Sequence, residues 1–84
     1  MTEPAGALPP DPLLQQETRE KIQQAFHSLP AKLQMAATLA LIEGQAYEEI
    51  ANALDTSVGA VKLRVFRAVR ILRKRLDQLG IKPE

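Results

Sequence analysis

The apolar positions of this chain recur at helical spacing in four blocks, and no stretch shows the two-residue alternation of a strand. The first block, 13–27, has a thin stripe of Leu14, Ile22, Ala25 and Phe26, with Leu29 just beyond. So thin a stripe predicts a helix that packs weakly and frays at its start. The second block, 30–42, opens at Pro30, which suits a first helical turn because its missing N–H would be unpaired there anyway. Leu33, Ala36, Ala37, Ala40 and Leu41 share one side, and Met35, Leu39 and Ile42 widen it, so several other elements are expected to contact this helix. Glu43-Gly44 ends it, with Gly44 as a left-handed C-cap. The third block, 47–54, places Glu48 and Glu49 in its first turn, where the helix dipole favours anions. Ile50, Ala51 and Leu54 point to the core, and Tyr47 is expected to anchor the start against it. Asp55-Thr56 reads as a tight turn, and Ser57 as the N-cap of a fourth helix over 57–79.

The fourth block is the longest. On a wheel at about 100° per residue, Val61, Val65, Ala68, Val69, Leu72, Leu76 and Leu79 fall within an arc of roughly 100°, the predicted buried side. Lys62, Arg64, Arg67, Arg70, Arg73, Lys74 and Arg75 occupy the rest, interrupted by Leu63, Phe66 and Ile71. Ahead of the first block, Pro4, Gly6, Pro9, Pro10 and Pro12 exclude a helix and predict an extended tether. The expected fold is all-α. A Pro-rich linker over 1–12 leads into a small four-helix domain over 13–79, followed by a tail over 80–84. A short third helix, a tight turn and a basic fourth helix make a C-terminal helix-turn-helix without a wing.

Composition narrows the function classes. A chain of 84 residues makes one small domain with a modest core. There is no cysteine, so no disulfide framework and no thiolate metal site. His27 is the sole histidine and has no companion ligands, so no metal is expected. Glu48 and Glu49 read as dipole charges rather than catalytic acids. With no nucleophile beside a base and no phosphate-cradling glycine loop, neither an enzyme, a cofactor nor a small-molecule substrate is expected. No apolar run approaches the roughly 20 residues of a membrane span, and the N-terminus lacks the basic and apolar regions of a signal peptide. The expectations are no membrane and a cytoplasmic location.

Charge changes the picture most. The net charge is +1, yet residues 1–61 carry three basic and eight acidic side chains, while 62–84 carry eight basic and two acidic ones. A nearly neutral chain is thus a strong dipole whose positive end is one helix. Each lysine or arginine that neutralises a phosphate releases a condensed counterion. Small residues at the helix start (Ser57, Gly59, Ala60) allow close approach to a duplex, and the helix N-terminus offers unpaired N–H groups to a phosphate. Thr56 and Ser57 add hydroxyls. Lys62, Leu63, Phe66, Arg67 and Arg70 lie within roughly 140° on the wheel. If that sector enters the major groove, Lys62 and Arg67 reach guanine O6 and N7, and Leu63 and Phe66 pack on thymine methyls. The base-facing candidates are therefore Lys62, Leu63, Phe66 and Arg67. The phosphate candidates are Thr56, Ser57, Gly59, Arg64, Arg70, Arg73 and Lys74. Leu63 and Phe66 could instead pack on the first helix or on a partner protein, and a basic face is in many helices simply a solvated one.

The stretch 29–76 resembles region 4 of bacterial sigma factors, most closely the extracytoplasmic-function group. The matching elements are LP at 29–30, EG at 43–44, YEEIA at 47–51, Leu54, and SVGAVKLRVFRAVRILRKRL at 57–76. All five stand in register over more than half of the chain. The resemblance implies a transcription-initiation module that binds double-stranded promoter DNA at the −35 element, docks on the β-subunit flap of RNA polymerase and is sequestered by an anti-sigma factor. By position, Lys62, Leu63, Phe66 and Arg67 match the family's groove-facing residues, and Ser57, Gly59 and Arg64 match residues near the phosphates. Three positions depart from the pattern. Ala46 stands where the family usually has a capping serine, Ala60 replaces a common threonine and Leu63 a common serine. Region 2, which melts the −10 element in the family, has no counterpart here, implying an excised domain or a stand-alone relative. Two rival readings use the same residues. One is a sigma-like protein-binding module in which Leu63, Phe66 and Ile71 are interface anchors. The other is the output domain of a response regulator, where the last helix is usually shorter and a dimerisation helix follows.

Overall fold

The computed structural model describes residues 12–81, which fold as four helices with no strand among the described residues. The expected tether over 1–12 therefore lies outside the described residues except for Pro12, and the tail over 80–84 except for Gly80 and Ile81. Helix α1 spans Pro12–His27, α2 Ala31–Ala37, α3 Tyr47–Ala53 and α4 Val58–Gln78; a π-helical turn, Thr38–Ile42, continues directly from α2. Pro12 opens α1 rather than closing a linker, a position where its missing N–H leaves no helical bond unmade.

The first half of α1 is exposed at every position, and only its end is packed, with Ala25 fully buried and Leu29 nearly so. This follows from the thin stripe: Leu14 is 60% exposed, and the next apolar residue on that face, Ile22, comes two turns later. Pro30 is the N-cap of α2, one position ahead of the first turn predicted for it, and its carbonyl accepts from Gln34 N–H at 2.8 Å.

The second helix departs most from expectation. It stays α-helical only to Ala37. Glu43 N–H then bonds the carbonyl of Thr38 at 3.1 Å, five residues back, and Gln45 N–H reaches Leu39 at 3.0 Å, six residues back. The extra residue per ring rotates the following side chains out of phase with α2. Leu41, expected in the core, is consequently 49% exposed, and Met35 and Ile42 are also exposed. Gly44 closes the turn at φ +66°, as its C-cap role requires.

At the start of α3, Ala46 takes the capping position with no side-chain hydrogen bond. Tyr47 does not anchor this end in the core, being 37% exposed. The α3–α4 turn is hydrogen-bonded as a Schellman cap. Asp55 N–H bonds Asn52 at 3.4 Å, Thr56 N–H bonds Ala51 at 2.9 Å, and Asp55 itself adopts φ +53°. Ser57 then caps α4, its Oγ accepting from Ala60 N–H at 3.1 Å. The same closing device ends α4: Gly80 (φ +86°) donates to Asp77 at 3.0 Å and Ile81 to Leu76 at 2.8 Å.

Two apolar clusters hold the helices. One joins Ala25 and Leu29 to Ala37 and to Ala68 and Leu72 of α4. The other joins Ala36 to Ile50 and Ala51 of α3 and to Val61 and Val65 of α4. Alanine supplies half of the buried apolar residues, so the helices approach closely rather than interleave large side chains. Ile50 and Val61 are the largest fully buried side chains, and they fix α4 against α3. Burying each contributes about 1.5–3 kcal/mol.

Candidate nucleic-acid interface

Helix α4 rises about 31 Å over its 21 residues and carries seven basic side chains and one acidic one, Asp77. Its inward stripe of Val61, Val65, Ala68 and Leu72 is buried as the periodicity requires. The same phase turns the other side to solvent. Lys62, Leu63, Phe66 and Arg67 are all exposed, Leu63 at 47% and Phe66 at 59%. Arg70, Arg73 and Lys74 continue the exposed face toward the C-terminus. Two large apolar side chains are thus turned toward solvent by the packing of the opposite face. The reading in which Leu63 and Phe66 pack beneath the first helix does not fit this geometry.

Among the described residues, none of the seven basic groups is ion-paired with a carboxylate. Arg75 bonds only the side chain of Gln78, at 3.4 Å. The Arg70 guanidinium lies over the Phe66 ring, 6.0 Å from its centroid. At an exposed site such a contact is worth about 0.5–1 kcal/mol, enough to bias the Arg70 rotamer without immobilising it. The face therefore presents uncompensated positive charge with an aromatic ring set into it.

The entry to α4 is compact. Ser57 is exposed and uses its Oγ to cap the helix, leaving its O–H free to donate outward. Thr56 is half-buried, its N–H committed to closing the turn. Gly59 is exposed, and a Cβ added there would meet only Ser57 Oγ, at 4.0 Å. Nothing inside the domain demands a glycine, so its smallness matters only to something approaching from outside.

Arg64 does not stand in the exposed row. It is half-buried and lines a cleft with Lys32 and Met35 of α2 and with Ala53, Leu54 and Asp55. That places it on the α2 side of the turn, apart from Lys62 and Phe66. Lys32 joins this cleft from a different helix, and sequence reasoning missed it because no pattern within one helix tells which neighbour will lie beside it. Leu33, read as a core residue, packs half-buried against the cluster of Ala25, Leu29, Ala37, Ala68 and Leu72 and also lines a second cleft with Arg67, Arg70, Ile71 and Lys74.

Comparison with known proteins agrees with this geometry. The family model described as sigma-70, region 4 matches residues 19–72. The ECF RNA polymerase sigma-E factors of Escherichia coli (strain K12) and Salmonella typhimurium (strain LT2) are each 38% identical to this chain over 82 residues, covering 92% of it and 43% of their own length. That of Haemophilus influenzae is 35% identical over 71 residues, covering 84% of this chain and 38% of its own. The chain spans less than half the length of the curated relatives it matches.

Proposed function

Because this chain belongs to the sigma-70 region 4 family, of the extracytoplasmic-function type and hence among the DNA-binding modules of transcription initiation, we propose that it reads the −35 element of a promoter while docked on RNA polymerase in the cytoplasm. The observation that carries this reading is the shared exposure of Lys62, Leu63, Phe66 and Arg67 on the first half of a firmly capped helix, flanked by unpaired cations. In a major groove about 12 Å wide, a helix entering by its N-terminal half presents those four side chains to base edges. Arg67 and Lys62 donate to guanine; Leu63 and Phe66 meet thymine methyls. Thr56, Ser57 and Gly59 at the helix entry, and Arg70, Arg73 and Lys74 beyond it, meet phosphates. Arg64, turned toward α2, contributes from the side of the turn.

Docking on polymerase draws support from another surface. Met35, Leu41 and Ile42 are exposed on α2 and the π-helical turn, and Met35 and Leu39 line an open cleft with Ala31, Gln34 and Thr38. Exposed apolar residues on adjoining turns of so small a domain favour a protein contact, and the flap of the β subunit is the partner we assign to it.

The direct test is fluorescence anisotropy of a labelled duplex titrated with the full chain across a range of salt. Salt-dependent binding that favours one promoter sequence over random duplex is the expected result. Binding to no duplex at any salt, or equal binding to all sequences both alone and within holoenzyme, would refute the base-reading role.

A further inference from the structure

Leu63 and Phe66 are exposed and stand outside both buried clusters. They lie three residues apart on α4, so their Cβ atoms are neighbours about 5–6 Å apart on one face. That separation spans one to two steps of a DNA strand, about 3.4 Å each. The Arg70 guanidinium, 6.0 Å from the centre of the Phe66 ring, closes the row with a cation drawn back over the aromatic face. Leucine and phenylalanine side chains carry no hydrogen-bonding group, whereas Lys62 and Arg67 beside them are donors only.

This chemistry decides what the row senses. In the major groove thymine shows an O4 acceptor and a C5-methyl group, and cytosine shows an N4 donor. An apolar side chain is blind to the exchange of acceptor for donor. It responds to the methyl group, whose removal from water is the gain. Cytosine bearing a C5-methyl presents that group at the same ring position, and its partner guanine keeps the O6 and N7 acceptors that Lys62 and Arg67 need. A methylated C·G pair therefore satisfies the apolar row and the flanking donors together, while an unmethylated one serves the donors alone. We propose that the Leu63–Phe66 row reads the C5-methyl group itself, so that 5-methylcytosine stands in for thymine and cytosine methylation regulates which duplexes the domain holds. This rests on the promoter reading made above and adds to it a response to a DNA modification.

The probe is the duplex that the full chain enriches from a random-sequence pool, resynthesised with uracil for each thymine in turn and measured by anisotropy. At least one thymine should prove sensitive, loss of its methyl group weakening binding about fourfold. That position is then filled by cytosine and by 5-methylcytosine, each paired with guanine. Thymine and 5-methylcytosine should bind within about twofold of each other, and uracil and cytosine about fourfold more weakly. Uracil equal to thymine at every position, or 5-methylcytosine as weak as cytosine, would overturn the proposal. Leu63→Ser or Phe66→Ala, each checked for native helicity by circular dichroism, should bring the thymine-to-uracil ratio close to one at the thymine it meets. A ratio that survives both variants would assign the methyl effect to duplex shape rather than to contact, and would overturn the proposal as well. The base series on the unaltered chain tests the claim whether or not a variant folds. A pool that yields no preferred duplex, either alone or within holoenzyme, would remove the promoter reading and this inference together. A preferred duplex indifferent to its methyl groups would remove this inference alone.

Discussion

Ser57 and Ala46 occupy equivalent positions at the starts of α4 and α3, and only Ser57 supplies a cap. Replacing a capping serine by alanine costs about 1 kcal/mol. Ser57→Ala should therefore lower the urea midpoint by that equivalent at unchanged m-value, and Ala46→Ser should raise it by about 0.5–1 kcal/mol. On the exposed face the roles proposed for Arg67 and Arg73 are separable by experiment. Arg67→Ala should weaken cognate binding by about 1–3 kcal/mol and blur sequence preference, whereas Arg73→Ala should weaken all duplexes alike and reduce the salt slope by about one. Equal loss on cognate and random duplex for Arg67→Ala would contradict its base-facing assignment. The exposure of Lys62, Leu63, Phe66 and Arg67 was legible in the sequence because one helix's own period separates its inward residues from its outward ones. The position of Arg64 was not. Its wheel angle placed it off the buried arc, but only the path of α2 brings Lys32 and Met35 beside it.

Helix by helix, what could be read depended on whether a local rule decided the outcome. The ends of α3 and α4 follow local chemistry: Ser57 caps, and Asp55-Thr56 turns. Asp55 holds φ +53°, which an aspartate tolerates and a β-branched residue does not. Asp55→Val should cost about 1–3 kcal/mol in thermal or urea unfolding, and Asp55→Gly should retain full stability. A loss of equal size for both would show that the carboxylate, not the backbone, matters there. The π-helical turn had no such signature. Nothing in Thr38–Ile42 forbids an α-helix; the wider ring is a tertiary solution that keeps Leu39 and Ala40 packed on the cluster around Ile50 while releasing Leu41 and Ile42 to solvent. Tyr47 was misplaced for a related reason, since Ile50 and Ala51 already fill the space that α3 offers to the core.

For the molecule as a whole, the four-helix plan and the charge segregation were readable from composition and spacing, because a helix-rich chain with one basic stripe leaves few other arrangements. The division of the interior into two clusters was not readable, since it depends on which turns of α4 meet which neighbour. Ile50→Ala, at a fully buried site in the second cluster, should cost about 2–5 kcal/mol. For so small a domain that is most of its stability, and far-ultraviolet circular dichroism should show the helix-turn-helix melting below room temperature or not forming. The first cluster has a different consequence. Helices α2 and α4 contribute to both interiors, but α1 belongs only to the first and α3 only to the second. The chain can thus come apart in instalments: α1 lifts away like a latch while the helix-turn-helix stays assembled. Amides near the end of α1 should trade deuterium well before those of Ile50 and Val61, and the duplex binding proposed above should outlast the latch.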